Sequence, residues 1–218
     1  SGAVSVSGGS LTGTADLTIG SALSLSGAAR LGAASGTTMN VTSVVSLAGG
    51  TELVIGSTTD TGVVNASGGS ALSSPFGTLR VAGGTLMGST AGFWSANMSS
   101  TTIDAGATLD FGSSAGSVLN LQGAGKVQAG ADLFVGAGSF SGEISGAGTL
   151  VKNGAGTLAL SGSNTYTGGT ELKGGRLNLG SNGALGSGEL AMDDGTTLGF
   201  TADGLNIANN IRMTGTND

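Results

Sequence analysis

Large aliphatic residues recur along this 218-residue chain in short bursts of period two, most of them bounded by glycine. The clearest are Leu17-Thr18-Ile19, Leu23-Ser24-Leu25, Leu53-Val54-Ile55, Leu109-Asp110-Phe111, Leu133-Phe134-Val135, Leu158-Ala159-Leu160 and Leu177-Asn178-Leu179. Alternation of this kind puts the apolar side chains on one face of an extended backbone, so each burst predicts a half-buried strand.

The bursts resemble one another. Gly-x-x-Leu-x-apolar-Gly occurs at 106–112 and 130–136, with relatives ending at Gly20 and Gly56. With Leu53, Leu79, Leu109, Leu133, Leu158, Leu177 and Leu198 taken as equivalent, the spacings are 26, 30, 24, 25, 19 and 21 residues. A loose period near 24 residues lies in the solenoid range. Six Gly-Gly pairs punctuate the chain, at 8–9, 49–50, 68–69, 83–84, 168–169 and 174–175, and read as corners where the backbone reaches positive φ. The expected fold is therefore all-β, a single right-handed parallel β-helix over 1–218. Each coil would have three faces, with short strands around a narrow interior of stacked Leu, Val and Ile. At a coil rise of about 4.8 Å, nine to eleven coils make a rod roughly 45–50 Å long. Within it, 1–141 reads as looser coils with loop excursions and 142–200 as regular coils.

Composition sharpens that picture. Gly, Ser, Thr and Ala supply 127 of the 218 residues, and only 9% are charged. Interior glycine costs a helix about 1 kcal/mol relative to alanine, so a helical bundle is excluded. Collagen is excluded by a single proline and the lack of a three-residue glycine period. The 43 Leu, Val and Ile residues and a mean hydropathy of +0.28 argue against disorder. Propellers, immunoglobulin-like sandwiches and leucine-rich repeats fit less well, for want of aromatic residues, longer strands or helical segments. No apolar run is long enough to span a membrane, and no signal peptide is visible at Ser1-Gly2-Ala3. A net charge of −6 with scattered basic residues argues against nucleic acid. The absence of Cys and His removes thiol chemistry and the commonest metal ligand.

From residue 142 the pattern tightens. The stretch contains Gly146-Ala147-Gly148-Thr149-Leu150-Val151-Lys152-Asn153-Gly154-Ala155-Gly156-Thr157-Leu158-Ala159-Leu160-Ser161-Gly162-Ser163-Asn164-Thr165-Tyr166-Thr167-Gly168-Gly169-Thr170. It closely resembles the passenger-associated transport repeat of Gram-negative autotransporters, G-x-G-x-L-x-K-x-G-x-G-T-L-x-L-S-G-x-N-x-Y-x-G-G-T. The resemblance spans about 142–180 and rests on Gly148, Leu150, Lys152, Gly154, Gly156, Leu158, Leu160, Gly162, Asn164, Tyr166, Gly168 and Gly169. The charged residues Glu171, Lys173 and Arg176 depart from the family's usual choices but leave Leu172, Leu177 and Leu179 in register. Read physically, Leu150, Leu158 and Leu160 point inward, Tyr166 caps or flanks the interior, and Asn153, Asn164 and Asn182 occupy turns.

Catalytic leads are thin. Asp193-Asp194-Gly195 invites comparison with the paired carboxylates of β-helical polysaccharide hydrolases, yet neighbouring strand residues face opposite ways. The required Gly-His-Gly is missing, and Arg212 lacks companions. An acidic turn before 197–200 is the simpler reading. Asp132, in Gly130-Ala131-Asp132-Leu133-Phe134, provides one approximate copy of a calcium-binding nonapeptide where several are needed. Gly136-Ala137-Gly138 and Gly146-Ala147-Gly148 lack the helix and lysine of phosphate loops and read as corners. Phe93 and Trp94 lie in the longest glycine-free run and are expected to fill a cavity beneath a loop, the other reading being an exposed recognition pair. Glu171, Lys173 and Arg176 are expected on a solvated face.

No catalytic, cofactor or metal site is therefore expected. The resemblance implies a structural passenger segment at the bacterial cell surface, outside the cell. Its partner is its own C-terminal outer-membrane β-barrel, and its repeat assists folding-driven secretion. Adhesion to a host surface or self-association is the alternative, and a polysaccharide-degrading enzyme the remote one.

Overall fold

A computed structural model describes residues 3–67, 77–88 and 98–215. The described residues form strands without a helix, and the strand pairings are parallel throughout. The chain winds as a parallel β-solenoid of about ten coils.

Each of the first coils lays down three strands in turn. Val4–Ser7, Leu23–Ser26 and Val45–Leu47 stack on the first face. Ser10–Gly13, Ala28–Ala33, Glu52–Ile55, Thr78–Val81 and Ser100–Ile103 stack on the second. The third face holds seven strands, from Leu17–Ile19 to Glu143–Ser145. Gly116–Gly123 and Leu133–Phe140 are eight residues long and run through a corner without a break. Past them the chain divides into two ladders. One passes through Leu150–Lys152, Thr170–Leu172, Leu190–Met192 and Ile211–Met213. The other passes through Thr157–Leu160, Arg176–Leu179 and Thr197–Phe200.

Alternating side chains from all three faces fill one continuous apolar interior, from Ile19 to Met192. Leu53, Leu109, Leu133, Leu158 and Leu177 all lie in it, each 1% exposed or less. The expected equivalence among the leucines is corrected, however. Leu53 stacks on Leu79, and Leu158 on Leu177 and then Leu198, so the steps of 26, 19 and 21 are true coil steps. Leu79 is followed by Thr101 on its own face, whereas Leu109 belongs to the third face, between Leu86 and Val127. Bursts on different faces share one pattern, and counting across faces overstated the period.

Close stacking explains the glycine content. Each described Gly-Gly pair holds one glycine at positive φ, as at Gly84 (64°) and Gly175 (67°). At Gly138 (φ 138°), where Leu133–Phe140 passes from one face to the next, a Cβ would overlap the carbonyl of Leu121 in the coil below.

Candidate functional site

The transport-repeat stretch begins on the strand Leu150–Lys152, which is buried along its whole length. Period two places Lys152 on the same face as Leu150, so its aliphatic stem runs inward and the residue is fully buried. The ammonium donates to the carbonyls of Gly154 and Gly174, the latter at 2.8 Å, and so ties two successive corners together. Burial pushes the Lys152 pKa below its ordinary value, because the charged form has lost water. Leu158 and Leu160 follow as interior residues of Thr157–Leu160. Gly162 then sits so tightly on the coil below that a Cβ would overlap the carbonyl of Gly142.

At this point the third face changes character. It ends as a sheet at Glu143–Ser145, and the next two coils cross the same place at 161–169 and 180–189 without a strand. The face itself is kept, but without a strand on it. Asn164, 6% exposed, repairs the ladder. Its Oδ1 accepts from the Ile144 N–H at 2.8 Å, and its Nδ2 donates to the Ala184 carbonyl at 2.6 Å. One carboxamide therefore satisfies backbone groups of the coil below and the coil above, which would otherwise be buried without partners. Thr165 N–H donates to the Ile144 carbonyl at 2.9 Å, and Thr167 N–H to Gly146 at 3.0 Å, keeping the segment aligned.

Tyr166 lies within the apolar interior, 1% exposed, rather than capping it. Its phenol meets the hydroxyl of buried Thr170 at 2.6 Å. Burial raises the phenol pKa, and the Thr170 contact acts in the opposite direction without overcoming it. Gly168 packs against Gly148 of the coil below, and Gly169 turns the chain at φ 86° into Thr170–Leu172. The twelve repeat positions are thus brought together in two adjoining coils.

The remaining leads fall into place singly. Glu171 and Lys173 form an exposed ion pair at 2.8 Å, and Arg176 donates to Asn178 at 2.7 Å, both on the solvated outer surface. Asp193-Asp194-Gly195 is the turn between Leu190–Met192 and Thr197–Phe200, where Asp193 accepts from the Thr214 hydroxyl at 2.5 Å. Arg212 pairs with Glu189 at 2.6 Å. Asp132 is exposed immediately before Leu133–Phe140. Among the described residues, no three potential ligands converge on a point where a metal ion could sit. Phe93 and Trp94 lie outside the described residues. Sequence reasoning missed the burial of Lys152 and the bridging by Asn164. The Leu150-x-Lys152 alternation carried the first signal, and nothing local carried the second.

Residues 150–179 match the family described as Passenger-associated-transport-repeat. The matched residues run from the strand Leu150–Lys152 to the end of Arg176–Leu179, the two coils described above. The chain is similar to the "Adhesin BmaC autotransporter" of Brucella suis biovar 1 (strain 1330), at 40% identity over 99 residues. That alignment takes in 40% of this chain and 3% of the adhesin, so the chain spans a small fraction of that relative's length. No solved structure matches it.

Proposed function

We propose that this segment is the stalk of a bacterial surface protein, and that residues 142–180 drive its export by folding outside the cell. The single observation that carries the reading is the clustering of the hydrogen-bonded buried residues Lys152, Asn164, Tyr166 and Thr170 in two adjoining coils, whereas the other buried polar residues among those described, Thr51 and Thr101, lie singly upstream. A passenger crosses an outer membrane that offers no ATP, so folding itself must prevent backsliding. In a solenoid each completed coil templates the next, and stability is roughly a sum over neighbours. A coil whose side chains bond to both neighbours is suited to start that sequence. The partner is the protein's own C-terminal outer-membrane β-barrel, and the segment itself is extracellular and without catalytic activity. Deleting 142–180 from the full protein should lower surface display more than deleting an equal length from 57–96, with barrel insertion unchanged. Equal display of both deletions by quantitative surface labelling would show that the repeat is merely one more length of rod.

A second reading, adhesion or self-association, is favoured by the third face. Thr38, Val63, Thr85 and Thr108 align there, and alongside them Asn65 donates to Asn40 at 2.9 Å. Thr85→Lys with Thr108→Lys should then abolish cell–cell clumping or surface binding by the full protein while leaving its display intact. Binding that survives both changes argues against this face.

A further inference from the structure

We infer that Asn164 sets the register in which the coils of the repeat stack, a role distinct from adding to their stability. The apolar pattern here is degenerate. Leu158 and Leu160 stack on Leu177 and Leu179, which in turn stack on Leu198 and Phe200. A one-residue slide would turn Leu158, Leu160, Leu177 and Leu179 outward, but a two-residue slide between their strands keeps all four facing the interior, whereas Phe200 at the end of the ladder is already exposed. Apart from Lys152, whose ammonium reaches the Gly174 carbonyl of the next coil, the glycine-rich corners supply no bulky side chain to resist such a slide. The carboxamide of Asn164 does resist it, because its oxygen needs the Ile144 N–H and its nitrogen needs the Ala184 carbonyl at the same time. Both partners lie 20 residues away, one in each neighbouring coil. A slide of either neighbour leaves buried polar groups unpaired. A buried polar residue that fixes register at some expense of stability has a precedent in coiled coils.

The inference holds whether or not the segment promotes secretion, and its test needs no export assay. The chain contains no cysteine, so introduced pairs report register cleanly. Ala159→Cys with Asn178→Cys joins directly stacked outward positions. Ala159→Cys with Arg176→Cys joins positions brought together only after a two-residue slide. Cα atoms more than about 7 Å apart do not bridge without backbone movement, so each pair reads one register. Under mild oxidation the wild-type background should cross-link the first pair and hardly the second. In Asn164→Leu and the milder Asn164→Ser, the ratio of first to second should fall by about tenfold, the scale of one lost hydrogen bond. Leu158→Ala, an interior truncation remote from the carboxamide, should leave the ratio unchanged. A wild-type ratio in both Asn164 variants overturns the inference. So does a ratio that falls equally in Leu158→Ala, or loss of the β-sheet circular dichroism in both Asn164 variants, since Asn164 would then be needed for folding rather than for choosing a register.

Discussion

The hydroxyls of Tyr166 and Thr170 meet 2.6 Å apart inside the solenoid, where neither side chain reaches solvent. Tyr166 is the chain's only tyrosine, so its ionisation can be followed by absorbance without interference. Its folded pKa lies above the unfolded value of about 10, so the folded state holds the proton more tightly. That contribution is complete below about pH 10 and is lost as pH rises further. Tyrosinate absorbance should therefore appear together with alkaline unfolding and not before it. Tyr166→Phe should cost about 1–2 kcal/mol at neutral pH, because the Thr170 hydroxyl loses its partner. A phenol that titrates near its ordinary value while the sheet signal persists would contradict this burial.

Position along the rod should decide the cost of a leucine. Leu158 is fully buried between Gly138 and Leu177, whereas Leu198 is only half-buried. Leu158→Ala should cost about 2–5 kcal/mol in urea unfolding, since the surrounding coils cannot close around the void. Leu198→Ala should cost less than about 1.5 kcal/mol, because much of its surface already faces water. Equal costs would mean that the interior continues past Leu198 more tightly than the structure has it.

The sequence carries the strand pattern far better than the coil assignment. Leu53 over Leu79 follows from spacing because both open the same face, while Leu109 looks identical and belongs to another. Alternation encodes inside and outside but not which of three sides a strand occupies. Lys152, Asn164 and Tyr166 stand in a recognisable motif, yet their burial depends on partners in other coils or across a corner. Asn164 looks like any turn asparagine until Ile144 and Ala184 are placed on either side of it.

Glycines should divide into those that need the missing side chain and those that do not. A methyl at Gly162 would collide with the Gly142 carbonyl, and backbone cannot swing aside as a side chain can. Gly162→Ala should cost about 1–3 kcal/mol, the usual scale of overpacking. At Gly9 a Cβ meets nothing within 4 Å, and the backbone is not left-handed. Gly9→Ala should be neutral or stabilise by up to about 1 kcal/mol, by restricting the unfolded chain. Thermal melts of the two variants side by side test both statements.

Lys152 makes the opposite pH prediction to Tyr166. Its folded pKa is depressed by burial, so between that value and about 10.4 the unfolded chain binds more protons than the folded one. Stability then rises with pH across that window, which means the buried ammonium costs stability at neutral pH. Its two carbonyl partners recover part of this cost, but both belong to half-buried corner glycines that water also reaches. Lys152→Met keeps the stem and removes the charge. The variant should match or exceed wild type by about 1–2 kcal/mol at pH 7, as apolar replacements of buried ions often do. The gap should narrow as pH rises above the folded pKa and close as pH passes the unfolded value of about 10.4. Tyr166 is present in both proteins and cancels from the comparison. A variant that is less stable by an amount constant from pH 7 to 10 would show that the ammonium is a net stabiliser through its carbonyl bonds.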